Sequence, residues 1–222
     1  MHEMPLLELP DTVVLPGMTV TLHISRKNHV QLVKRTLEME RQRFVISWDG
    51  AAGSLADSPT LPRHGTGMAL VDVAAEPDGI WHVTAHGRER YLNRISRTEE
   101  IPEATGEDST LKFVHDEPAP IRRDSPGIEL VEAWDALEEF RRYARNHFRE
   151  VQAAEIEEHV PDDPFYLASF IGANLALEAD QTQEVLDAGS LSARLRLLAR
   201  MARKLSGPDA LRNPRSAGPP PA

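Results

Sequence analysis

The sequence predicts an α+β protein, with strands first and helices after them. Two observations carry this. Up to about residue 125 of the 222-residue chain, short apolar runs are separated by Pro, Gly and Asp, as strands are by turns. Beyond it, apolar residues return every three or four positions, the helical period. The two kinds of element are segregated rather than alternating, which excludes an α/β order.

In chain order, strands are predicted at 6–9, 20–24, 44–47, 67–74, 81–87 and 89–95, with a weaker one at 111–114. Residues 28–43 interrupt them as a helix, with Val30, Val33, Leu37 and Met39 on one face. Asp78-Gly79 supplies the positive-φ position of a tight hairpin. Ser125-Pro126 then opens a long amphipathic helix, with Leu130, Trp134, Leu137, Phe140, Ala144, Phe148 and Val151 as its core stripe. Asp163-Pro164 starts another, burying Leu167, Phe170, Ile171 and Leu177. Asp180 with Gln183 resembles a capping box before a short helix that ends at Gly189. The last helix covers 191–205, with Leu191, Leu195, Leu198, Ala202 and Leu205 on its apolar stripe. The expected organisation is a β-rich subdomain (1–122), a helical bundle (123–206) and a disordered Pro-rich tail (207–222).

Composition narrows the function. A 41% apolar and 27% charged content is that of a soluble globular chain. The absence of cysteine excludes disulfides, thiolate catalysis and cysteine-held metals. No signal peptide or membrane-spanning run is evident, so a cytoplasmic location is expected. A net charge of −10 argues against broad nucleic-acid binding.

Several motifs resemble the amino-terminal substrate-binding domain of the Lon proteases. They are Pro5 to Met18 with its Val13-Val14-Leu15-Pro16-Gly17-Met18 run, Gly65-Thr66-Gly67-Met68-Ala69-Leu70-Val71, Gly87-Arg88-Glu89-Arg90-Tyr91, and Asp162-Asp163-Pro164 with the later Leu186 and Arg194-Leu195 pair. Each motif is weak; their common order across a strand-to-helix switch makes the resemblance strong. It covers roughly 5–205. Glu8 and Pro10 depart from the family's usual proline and arginine, which bears on the pairing of the first strand. The resemblance implies a PUA-like β pseudo-barrel followed by a helical bundle. It also implies a non-enzymatic module that binds exposed hydrophobic segments of unfolded polypeptides, or a protease or chaperone partner in protein quality control.

The family's catalytic parts are not in this sequence. There is no Gly-Lys dipeptide and hence no phosphate-binding loop of the G-x-x-x-x-G-K-[ST] kind. No serine sits in a G-x-S-x-G elbow. The Pro-rich terminus reads as the natural end of a stand-alone protein, with a truncated form of a longer Lon as the alternative. No cofactor is expected, and self-assembly into a homo-oligomer is left open.

Candidate contacts for an apolar peptide are Trp48, Trp81 and Met18, the two tryptophans lying near strand ends. As an RNA-binding alternative, Arg88, Arg90 and Arg94 form a basic run, although the interleaved aromatics of nucleic-acid surfaces are missing beyond Tyr91. A dedicated regulatory adaptor is the third reading. His82 and His86 share a face of one strand, but four residues set them roughly 13 Å apart, too far for one metal ion. His147 with Glu150, and Glu155 with His159, have helical spacing for a ligand pair and read better as solvated faces. Trp134 reads as core. Arg194, Arg196, Arg200, Arg203 and Lys204 read as the basic end of a bundle-closing helix.

Overall fold

The computed structural model describes residues 3–49, 64–101 and 109–207. The chain divides into two compact units, Met1–Pro120 and Ile121–Ala222. Apart from Gly207, the predicted Pro-rich tail lies outside the described residues.

The described residues of the first unit form a seven-stranded sheet with one helix. In chain order its elements are β1 (Glu3–Leu9), β2 (Thr19–Ile24), α1 (Lys27–Glu38), β3 (Arg43–Trp48), β4 (His64–Ala75), β5 (Trp81–Leu92), β6 (Ile95–Glu100) and β7 (Thr110–His115). Among the described residues, hydrogen-bonded order across the sheet is β2-β5-β4-β3-β1-β7-β6, an open ladder with β2 and β6 as its edges. Among the described strands of this sheet only the β1–β3 pair is parallel, with Leu6 opposite Val45; β2 and α1 form the crossover between them.

Both faces of the central strands are covered. Leu7, Phe44, Ile46, Met68, Val83, Leu111 and Phe113 join Leu32 and Val33 of α1 in the main core. The alternate residues Met4, Leu6, Val45, Tyr91 and Val114 form a second cluster. That is why β1 and β3 read in sequence as continuous apolar runs rather than alternating ones. The unusual Glu8 of β1 pairs with Lys112 of β7 at 2.5 Å, so an ion pair on the facing strand stands where the family pattern has proline.

Two strands predicted as separate, 81–87 and 89–95, are one twelve-residue strand, β5. Irregular register against β4, between Thr66 and Met68, lets the long pair bend without breaking.

The second unit contains α2 (Pro126–His147), α3 (Glu150–Glu158), α4 (Pro164–Asn174), α5 (Ala179–Asp187) and α6 (Leu191–Leu205). Asp163 caps α4 by accepting from the Phe165 and Tyr166 amides, and Ser190 caps α6 by accepting from Ala193. The capping box of α5 is Glu178 with Gln181, two residues before the predicted pair. The long helix expected through Val151 ends at His147. Phe148 leaves helical backbone, and its ring meets Tyr143 edge-on at 6.0 Å.

Trp134 is not core; it is 66% exposed. Leu130 and Val131 are exposed beside it, and the buried stripe of α2 is Ala133, Ala136, Phe140, Tyr143 and Ala144. Small residues let α4 and α6 approach α2 closely, which outweighs the bulk of the opposite face. Glu129, also on the buried side, accepts three bonds from the Arg123 guanidinium (2.9, 3.1 and 2.7 Å) and one from the Asp124 amide. These donors hold its carboxyl below the usual range.

Candidate functional site

Three of the motifs that carry the resemblance, those of the first unit, meet in one place, and their work there is structural. The Gly17 amide donates to the Gly87 carbonyl at 2.9 Å, and the Gly87 amide donates to the Met18 carbonyl at 2.8 Å. The Thr66 hydroxyl donates to the Val14 carbonyl. A Cβ on Gly87 would stand 2.9 Å from the Leu15 oxygen, and one on Gly67 would stand 2.3 Å from the Tyr91 ring. Gly17 itself has φ 95°, a conformation glycine adopts freely. The Pro16-Gly17-Met18 turn is thus latched onto β5, and it sets where β2 begins.

Tyr91 sits fully buried at this junction, and burial pushes its phenol up to about 12, helped by the Glu89 and Asp116 carboxylates. Its proton is held more tightly folded than unfolded, since a free tyrosine ionises near pH 10. Stability is therefore intact below about pH 10 and falls as pH rises toward about 12, by roughly 1.4 kcal/mol per pH unit. Tyr143, also raised by burial, adds to the same trend. Thermal melting between pH 9 and 12 checks this, and Tyr91→Phe is expected to flatten the loss.

The latch leaves β2 as an exposed edge of distinctive character. Its sequence, Thr-Val-Thr-Leu-His-Ile, contains no acid, lysine or arginine. The opposite edge, β6, carries Arg97, Glu99 and Glu100, and Arg97 bonds both Glu3 and Glu99. Charge is one device that protects an edge against pairing with another chain, and β2 lacks it.

Register fixes which groups β2 offers. The Gly87-to-Met18 bond lies in step with the ladder that pairs Thr19 with His86 and Ile24 with Trp81. Antiparallel ladders alternate hydrogen-bonded and non-bonded pairs, so Val20, Leu22 and Ile24 turn their backbone groups toward β5. The backbone groups of Thr19, Thr21 and His23 then point away from the sheet. Their side chains form a polar row with β5: Thr19 Oγ1 to His86 Nδ1 at 3.0 Å, Thr21 to Thr84 at 3.2 Å, and the His23 and His82 rings 4.5 Å apart. Val20 and Leu22 face the other way, half-buried on the rim of the main core.

The three peptide candidates do not converge. Met18 and Trp81 flank opposite ends of the β2–β5 ladder, and both pack against the main core. Lys34 lies 5.7 Å over the Trp81 ring. Trp48 is elsewhere: it ends β3 opposite Leu9, and its indole donates to the Pro10 carbonyl at 2.6 Å, tying down the chain after β1.

The basic run is also dispersed. Arg88 and Arg94 are exposed, but Arg90 is only 8% exposed and donates to the Ala119 and Pro120 carbonyls at 2.9 and 3.3 Å. Its guanidinium stitches the end of the first unit to β5, which removes it from any nucleic-acid surface. Arg194, counted among the basic residues of α6, is buried and donates to the Val185 and Leu186 carbonyls at the end of α5.

The histidines have local partners. His82 faces Glu76 at 2.8 Å, His147 lies within 3.0 Å of the Tyr143 carbonyl, and His159 lies within 2.7 Å of the Glu155 carbonyl. Among the described residues, no three His, Cys, Asp or Glu side chains could hold a metal ion. No described helix is long and apolar enough to cross a membrane.

The described residues thus form a sheet with a latched, uncharged edge and, in the second unit, a set of helices. The chain belongs to the ATP-dependent protease La (Lon) substrate-binding domain family, whose model matches residues 3–204. It is 25% identical over 199 residues to the Lon protease of Escherichia coli, and 26% identical over 208 residues to Lon protease 1 of Thermus thermophilus. Those alignments cover 90% and 91% of this chain but 24% and 25% of the relatives, so the chain spans about a quarter of their length. Among solved structures, the N-terminal domain of a Mycobacterium avium complex Lon protease has the same fold, with a TM-score of 0.69 at 20% identity. That likeness covers 90% of this chain and 98% of the other. A Lon N-terminal domain protein from Xanthomonas campestris superposes with a TM-score of 0.54 at 18% identity, with the same coverage of each chain.

Proposed function

We propose that this chain is a non-catalytic module that captures exposed hydrophobic segments of unfolded polypeptides, serving protein quality control, and that it does so by adding an extended segment to β2. The observation that carries the reading is the uncharged free edge of β2, with half-buried Val20 and Leu22 along it. Strand addition draws affinity from main-chain hydrogen bonds and specificity from alternate side chains. Membership of the Lon substrate-binding family supports polypeptide as the ligand. The reading carries with it the PUA-like pseudo-barrel and helical bundle implied by the resemblance. Met18 and Trp81 would border the bound segment at its two ends, while Trp48 would have no part in it.

An array of overlapping peptides from unrelated proteins, probed at low and high salt, tests the proposal. Salt-resistant binding to apolar and aromatic peptides is the expected result. A blank array would sink generic capture.

A further inference from the structure

We infer that the β2 edge selects segments in which apolar and small polar residues alternate over about six positions, in preference to continuous apolar runs. The inference rests on the reading of β2 as the polypeptide site and names the class of segment that it takes.

The two faces of β2 differ along their whole length. Val20 and Leu22 lie on the rim of the main core, half-buried, with apolar surface that a further strand would cover. Thr19, Thr21 and His23 lie on the other face, exposed, each touching a polar partner on β5. Residues directly opposite one another on paired strands project to the same face. An added residue facing Val20 or Leu22 therefore extends the apolar rim. One facing Thr19, Thr21 or His23 extends a row of hydroxyls and imidazoles. A segment that is apolar throughout would gain on the first face only, and its remaining apolar side chains would lie on solvent beside the polar row.

The ends of the ladder set the length. At one end Gly17, at φ 95°, turns the chain; at the other, Ile24 leads through Ser25 into α1. Six residues, Thr19–Ile24, are left to pair. Since a one-residue slip exchanges the two faces, the alternation would also fix the register of the bound segment.

The test compares two labelled isomeric peptides by fluorescence anisotropy. In one, valine and threonine alternate over six positions between flanking lysines; in the other, three valines precede three threonines. Measurements in about 0.5 M salt screen attraction of the lysines to the acidic chain. The alternating peptide is expected to bind at least tenfold more tightly. Equal affinity would overturn the inference while leaving polypeptide capture intact. Binding of apolar array peptides but of neither isomer would also overturn it alone. Binding of neither isomer together with a blank array would overturn the capture reading, and the inference with it. Leu22→Thr is expected to bring the ratio close to one. Because Leu22 is half-buried, Thr21→Val serves as the second variant: it keeps a β-branched shape, makes the outer face more apolar and is expected to reduce the ratio by raising affinity for the block isomer.

Discussion

Replacing Gly67 with alanine is expected to cost about 3 kcal/mol and lower the melting temperature by roughly 10 °C. The added methyl would meet the Tyr91 ring at 2.3 Å, well inside van der Waals contact. The ring cannot swing away, because Tyr91 is fully buried with Met4, Leu6, Val45 and Val114. Relief must come from moving β4 away from β5, the strand that also holds the register of β2. Thermal melting measures the loss. A second variant assigns it to the right contact: in Gly67→Ala combined with Tyr91→Ala, the penalty should be much smaller than the sum of the two single changes, since the methyl would enter the space the ring vacates. Strict additivity would mean that Gly67 is required for some other reason.

Thr21→Pro is expected to weaken binding of apolar peptides at least tenfold without unfolding the protein. The Thr21 amide points away from β5, so proline there removes a donor from the free edge and none from the ladder within the sheet. It also places a ring where an added strand would run. The same change at Leu22, whose amide faces β5, should be strongly destabilising instead, and the contrast between the two positions tests the alternation directly. Peptide affinity and melting temperature, measured on both variants, separate a blocked edge from a broken sheet.

Most of the fold is legible from local signals along the chain. Asp163 announces its helix because a cap is a contact within a few residues, and α6 begins and ends where its leucine stripe does. The faces of α2 were harder. Leu130 and Trp134 make the larger apolar stripe, but whether a stripe is buried depends on what packs against it, and alanines at 133 and 136 give the closer fit. The strand at 81–92 looked like two because Gly87 reads as a break; in the fold it is where the Pro16-Gly17-Met18 turn docks.

Much less of the candidate site was legible. Met18 and Trp81 were found as bulky apolar residues near turns, but Trp48 shares that signal and is a tie to Pro10. The row formed by Thr19, Thr21 and His23 with His86, Thr84 and His82 joins residues some 60 positions apart, and only strand register brings them together. The period-2 pattern of β2 was visible, and so was its lack of charge. That it lies at the edge of the sheet was not, because edge position is a property of topology. Arg90 misled for the converse reason: an arginine in an alternating basic run gives no local sign that a distant carbonyl pair will bury it.

Backbone amide exchange, followed by NMR with and without a saturating apolar peptide, tests the central claim most directly. The account predicts that the peptide slows exchange at Thr19, Thr21 and His23, the amides that face away from β5, and leaves Arg97 and Glu99 of the charged β6 edge unchanged. Protection that appears on β6 or on the exposed face of α2 around Trp134, with the three β2 amides unaffected, would contradict it.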